Sequence, residues 1–239
     1  MGSNVKRTEN WYESSYQESG LDAQRRYPNE EFLRFLGRHF FRTPTPERRD
    51  IRILEIGCGS GANLWVIGRE GFQAHGLDLA PEAIALGRQM LAGWGVTDAQ
   101  LQAGSMTDMP YEDTFFDAVV DVFSANCLEL ADFRTCLAEV ARVLKPGGLF
   151  FSYAPGKNSG AFQNHAPATL IDDSTLDGIH RSDSPYTGNH YPFRFVTSEE
   201  YRSLLAEAGL ELTRAETVLR SYGQQREHFE HVVVDARKP

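Results

Sequence analysis

The sequence predicts an α/β fold: a mostly parallel, seven-stranded sheet with helices on both faces, closed by a C-terminal antiparallel hairpin. Three observations predict it. Ile51-Arg-Ile-Leu-Glu-Ile-Gly-Cys-Gly-Ser-Gly-Ala-Asn63 passes from a β-branched apolar run through Gly57, Gly59 and Gly61 into a helical pattern, the succession of buried strand, turn and helix. Further short apolar runs, at about 73–77, 100–103, 118–123 and 149–154, alternate with helix-period segments, as parallel strands joined by crossovers do. Two last runs, 210–219 and 229–236, read as an antiparallel pair.

Taken in order, residues 1–20 are polar but carry Trp11, Tyr12 and Tyr16. A short helix is predicted over 11–17. It is either a loose arm or a lid, and the lid is preferred because aromatic rings need burial. A helix follows from about residue 30 to Arg42, with Asn29 as N-cap and Glu30 and Glu31 in its first turn. Its face of Phe32, Leu33, Phe35, Leu36, Phe40 and Phe41 packs on the sheet, with lipid contact as the lesser alternative. Thr43-Pro-Thr-Pro46 is a linker. Residues 1–45 thus form a helical lid or arm, and 46–239 the main domain.

Helices are predicted over 62–70, over Pro81 to Trp94 and from Asp132 to Leu144, with Lys145-Pro-Gly-Gly148 as the tight turn before the fifth strand. Residues 155–192 are rich in Gly, Asn, Ser, His, Asp and Pro with little periodicity. They read as a structureless insertion, too polar for a core, that covers the pocket beyond the fifth strand. Thr197 or Ser198 then caps a helix to Gly209, with Glu200 in its first turn.

The chain has 239 residues and a formal net charge of −9, which argues against a nucleic-acid partner. No apolar run is long enough to span a bilayer. Met-Gly-Ser-Asn-Val-Lys offers no secretory h-region. Cys58, Cys127 and Cys136 form neither a disulfide framework nor a metal spacing, and no other metal motif is present. A reducing cytoplasm is the expected compartment.

Strand, glycine turn and helix is the geometry of a nucleotide site. Gly57, Gly59 and Ala62 also satisfy G-x-G-x-x-G/A, so an NAD(P)-linked oxidoreductase is the rival reading, although no Tyr-x-x-x-Lys pair accompanies it. Glu55 sits two residues before the first glycine. Its carboxylate would repel a pyrophosphate and attract a cationic ligand. Asp78 ends the second run about twenty residues on, where a ribose-binding acid belongs; the other reading is a cap for the helix at Pro81.

Glu55-x-Gly57-x-Gly59-x-Gly61, Gly76-Leu-Asp78 and Leu144-Lys-Pro-Gly-Gly148 together resemble a class I S-adenosylmethionine (SAM)-dependent methyltransferase, of the UbiE/UbiG or methyltransferase type 11-like group. The resemblance implies a Rossmann-like sheet, SAM as cofactor and S-adenosylhomocysteine (SAH) as product. It carries cofactor-binding roles to Glu55, Gly57, Cys58, Gly59, Gly61, Asn63, Asp78, Leu79 and Asp121. Gly104 to Asp117 is similar to the family loop G-D-x-x-x-L-P-F-x-D-x-S-F-D, with the acid replaced by Ser105. The role beside adenine passes to Ser105 and Met106. A SAM-binding module without catalysis is the other alternative.

Methyl transfer from a sulfonium is an in-line displacement, and positioning can lower its barrier by up to about 7–11 kcal/mol. An alkyl hydroxyl acceptor would also need a base. His165, His180 and His190, in the insertion, are the candidates, set against the alternative of surface loop residues; Asp121, at the end of the fourth strand, is next. Tyr16, Asn126, Arg181, Tyr191 and Arg194 are the candidate acceptor-binding residues. Arg26-Tyr-Pro-Asn-Glu30 resembles methyltransferases of bacterial surface-glycan assembly, which implies a saccharide hydroxyl as acceptor. A phenolic small molecule or quinone precursor comes next.

Overall fold

The structure, a computed structural model, describes residues 3–20 and 25–239. Along the chain its strands are β1 (Arg52–Ile56), β2 (Gln73–Asp78), β3 (Gln100–Ala103), β4 (Phe116–Val122), β5 (Leu144–Pro155), β6 (Leu170–Asp172), β7 (Thr175–Leu176), β8 (Phe193–Arg194), β9 (Glu211–Tyr222) and β10 (Glu227–Arg237). The helices are α1 (Ser3–Ser19), α2 (Glu30–His39), α3 (Thr45–Arg48), α4 (Ala62–Arg69), α5 (Pro81–Gly93), α6 (Leu130–Val143), α7 (Gly160–Gln163) and α8 (Ser198–Glu207).

Seven strands form one sheet in the order β3-β2-β1-β4-β5-β10-β9. β3, β2, β1, β4 and β5 run parallel. β10 runs antiparallel to both β5 and β9. The expected sheet and C-terminal hairpin are therefore present. Successive residues of a strand face opposite ways. Ile53 accordingly joins the layer with Phe32, Phe35, Leu64 and Ile84, while Leu54 joins Phe133, Leu137, Tyr201 and Leu205. Helices α2, α4 and α5 thus cover one face, and α6 and α8 the other.

α2 starts where its cap predicts: the Asn29 side chain accepts from the N–H groups of Glu31 and Phe32. Phe32, Phe35 and Leu36 are fully buried, so this face packs on the sheet rather than on lipid. Arg38 and His39 at its end both bond the buried carboxylate of Asp235 in β10. α8 carries the reciprocal cap between Thr197 and Glu200.

Four expectations need correction. The N-terminal helix is much longer than 11–17. The linker includes the short helix α3, started by Pro44 and Pro46, whose fixed φ suits a first turn. Lys145–Gly148 is an irregularity inside β5: pairing jumps from Phe116↔Leu144 to Ala118↔Leu149, and Gly147 takes φ +78°. Residues 155–192 are not structureless. They contain α7, β6 and β7, and β7 pairs with both β6 and β8. The segment also has a core, in which Ala161, Leu176, Ile179 and Tyr191 pack with Phe193, Phe195 and Phe229. A polar segment can be buried on one side when neighbouring elements supply the rings.

Candidate active site

The strand order reverses between β1 and β4, and an open α/β sheet leaves a crevice at such a point, beyond its carboxyl ends. A cleft lies there. The β1–α4 loop lines it with Glu55, Gly57, Cys58, Gly59 and Asn63, the end of β2 with Asp78 and Leu79, and the loop after β3 with Ser105 and Met106. Phe123, Ser124, Cys127 and Leu128 follow from the end of β4, Thr8, Glu9, Tyr12 and Tyr16 from α1, and Arg25 from the segment before α2.

The glycine loop is built for close approach. Gly57 takes φ +65°, and a β-carbon there would stand 2.3 Å from that of Ser124, so only glycine fits. The Gly57 and Cys58 N–H groups both donate to the Leu77 carbonyl, which hangs the loop on β2. Asp78 is not the N-cap of α5: that residue is Ala80, which carries no side-chain cap, and Asp78 instead holds the backbone around the cleft. Its Oδ1 accepts from Ala80 N at 3.0 Å at the start of α5, and its Oδ2 accepts from Gly59 N at 2.8 Å. It still lines the cleft and retains acceptor capacity. Burial raises its pKa, against the pull of those N–H groups.

Glu55 is buried. Its Oε1 accepts from Asn63 Nδ2 at 2.6 Å, while Oε2 has no hydrogen-bond partner among the described residues. Burial pushes its pKa up to about 8, with Asn63 and Arg25 pulling it back down. A buried carboxylate oxygen without a donor is costly, and it marks the place for a cationic group. Asn63 in turn accepts from Asn29 N at 2.9 Å, which ties the loop to the cap of α2.

α1 closes the cleft. The Tyr12 hydroxyl lies 2.9 Å from that of Tyr191, Trp11 packs edge-on against both rings, and Arg7 donates to the His190 carbonyl. Tyr16 is buried beside Asp78.

Several predicted site residues lie elsewhere. Gly61 is the left-handed N-cap of α4, pointing at Leu91 rather than into the cleft. His165 is held by the Phe162 carbonyl, and His180 sits by Asp177 and His190. None of the three histidines lines the cleft. Asp121 is buried, and it accepts from Ser124 N, Ser124 Oγ and Ala125 N at Oδ1 and from Ser152 Oγ at Oδ2. That spends the carboxylate on holding a turn. Asn126 is buried beside that turn, outside the cleft. Arg181 pairs with Glu227 at 2.8 Å. Arg194 is buried against the Phe133 ring and donates to the Ala125 carbonyl. Tyr191 stands behind Tyr12. Thr8, Glu9, Arg25, Phe123, Cys127 and Leu128 were not singled out for the site. Tyr12 belongs to the aromatic arm that the sequence marks as a lid, and it lines the cleft.

This fold, with a glycine-walled cleft at the reversal of its sheet, is shared with solved structures of SAM-dependent methyltransferases. A family model described as a methyltransferase domain matches residues 53–148. Sterol 4-C-methyltransferase strm-1 of Caenorhabditis elegans is 32% identical over 105 residues, 44% of this chain and 31% of that protein. The phthiotriol/phenolphthiotriol dimycocerosates methyltransferase of Mycobacterium tuberculosis is 34% identical over 127 residues, 50% of this chain and 44% of that one. This chain thus spans less than half the length of these curated relatives. Among solved structures, the 1,6-didemethyltoxoflavin-N1-methyltransferase of Burkholderia thailandensis, with bound 1,6-didemethyltoxoflavin and SAH, superimposes with a TM-score of 0.63 at 17% identity, covering 100% of this chain and 91% of that one. SAM is the cofactor that the cleft residues fit.

Proposed function

We propose that this chain is a SAM-dependent methyltransferase that moves a methyl group to an oxygen of a small-molecule acceptor. The observation that carries the reading is Glu55, a buried carboxylate with one oxygen unpartnered among the described residues, in a glycine-walled cleft. It would oppose the pyrophosphate of NAD(P) and complement a cation. When bound, SAM supplies an electrophilic methyl carbon on a sulfonium sulfur.

The chain's own part is to bind, orient and shield. α1 acts as the lid, with Tyr12 and Tyr16 over the cleft, and closure excludes water. No histidine lines the cleft among the described residues. Burial pushes the Cys127 thiol up to about 12 and the Tyr12 phenol well above its ordinary range, so both stay protonated near neutrality. Glu9 is the half-buried carboxylate of the lid that lines the cleft. This set suits an acceptor hydroxyl that ionises readily. It supports a phenolic or quinone-precursor ring, second in the sequence reading, over a saccharide. The saccharide reading rests on residues 26–30, where Asn29 is occupied with α2 and Asn63. A reducing cytoplasm remains the proposed compartment, supported by three free cysteines.

Calorimetry tests the cofactor: the protein should bind SAM and SAH and ignore NADH. Formation of SAH on adding a panel of hydroxylated acceptors tests the transfer. Tight SAH binding with no turnover on any of them would favour a non-catalytic binding module.

A further inference from the structure

Phe123 follows directly on β4 and takes φ +63°, a conformation that a bulky L-residue rarely adopts. The other non-glycine residues described with positive φ are Thr114, Gln224 and Gln225, all exposed. Phe123 is different, because it lines the cleft and is backed by rings. Tyr186 stands 4.8 Å from it between centroids, His231 5.6 Å and Phe193 5.9 Å.

The cause of the strain is visible. Phe123 N still donates to Tyr153 O, as a strand residue would. One residue later, Ser124 N and Oγ are both bound to Asp121. The chain must leave the strand within a single residue, and the left-handed turn does so. Strain of this kind persists only where the surroundings over-determine it, and it concentrates at ligand sites. Tyr12 provides a second aromatic wall of the same cleft, its hydroxyl fixed by Tyr191. Phe123 and Tyr12 pack on the same aromatic core.

We propose that Phe123 is the specificity-determining residue of the acceptor subsite, and that with Tyr12 it selects a flat aromatic acceptor by its π face. The proposal rests on the reading of the cleft as a SAM and acceptor site. An aromatic contact of this kind is worth roughly a factor of ten in affinity.

The test is calorimetry on protein saturated with SAH, with 4-nitrocatechol as the aromatic probe and methyl α-D-glucopyranoside and laurate as the non-aromatic ones. The nitrocatechol should bind at least about tenfold more tightly than either of the others. Phe123→Leu, which keeps an apolar side chain of similar reach, should weaken it by about tenfold, with SAH affinity within about twofold. Phe123→Gly relieves the strained backbone and should lose the probe in the same way, with SAH still bound. The proposal is overturned by a glucoside or laurate that binds as well, by a Phe123→Leu protein that binds nitrocatechol as before, or by no nitrocatechol binding at millimolar concentration. Failure of the cofactor reading shows separately, as no heat when SAH is titrated into the wild type.

Discussion

The side-chain amide of Asn63 donates to Glu55 Oε1 at 2.6 Å, while its carbonyl oxygen accepts from Asn29 N at 2.9 Å. One residue on α4 therefore fixes the carboxylate and the entrance of α2 together. A hydrogen bond to a charged group is worth about 1.5–3 kcal/mol. Asn63→Ala should therefore weaken SAH binding by roughly 10–100-fold, measured by calorimetry. An affinity unchanged from wild type would show that the orientation of Glu55 does not matter.

Glu55 should make the ligand-free protein less stable as the pH rises. Its folded pKa, about 8, lies above the ordinary 4.5. The folded state therefore holds a proton that the unfolded state has lost. This contribution is fully present below the ordinary value and disappears as the pH climbs toward 8, by at most about 1.4 kcal/mol per pH step. Urea titrations at pH 5 and pH 8 should show the decline, and Glu55→Gln should flatten it. Binding a cation needs the carboxylate ionised, so SAH affinity should rise over the same interval, and Glu55→Gln should bind SAH weakly at pH 8.

Acid acts through different residues. Burial lowers the pKa of His75 and of His231 to about 4. Both are neutral in the folded protein at pH values where the unfolded chain is protonated. Their contribution is therefore present above about 6.5 and is lost as the pH falls from there toward 4. His231→Gln should show a shallower loss of melting temperature between pH 6.5 and pH 4 than the wild type. A parallel curve would mean that His231 takes no part.

Asp121 is expected to behave as a structural residue. Asp121→Ala strands the Ser124, Ala125 and Ser152 donors that it now satisfies. The cost should be about 2–5 kcal/mol in urea unfolding. A variant that is fully stable but catalytically dead would reinstate Asp121 as a reacting group.

Replacing His165, His180 or His190 by Ala should leave SAH affinity and turnover within about twofold of wild type, because none of them lines the cleft. A general base is worth about 10²–10⁴-fold, so a loss of that size in any of the three would bring the imidazole back into the chemistry.

The legible half of the site is the half made by neighbours in the chain. Glu55, Gly57, Gly59, Asn63 and Asp78 belong to two strand ends, one turn and the helix start that follows it, where spacing alone determines which groups meet. The wall residues Thr8, Arg25, Phe123 and Cys127 come together only when separate elements pack. The insertion shows the limit of composition. Its histidines suggested chemistry, yet its lasting contribution is an apolar core behind Tyr191, Phe193 and Phe229, which a count of polar residues hides.

The succession of the seven main-sheet strands along the chain, the glycine turn and the cap at Asn29 were determined by the sequence itself. Periodicity, backbone freedom and side-chain-to-backbone bonds within a few residues are local properties. The tertiary structure alone decided that α1 lies over the cleft, that Asp121 holds a turn instead of a proton, and that Phe123 is turned into the cleft. Each depends on groups far apart in the chain, Tyr12 with Tyr191, Asp121 with Ser152, Phe123 with Tyr186 and His231. Contacts of that range arise from the packing of finished elements against one another, and no local pattern encodes them.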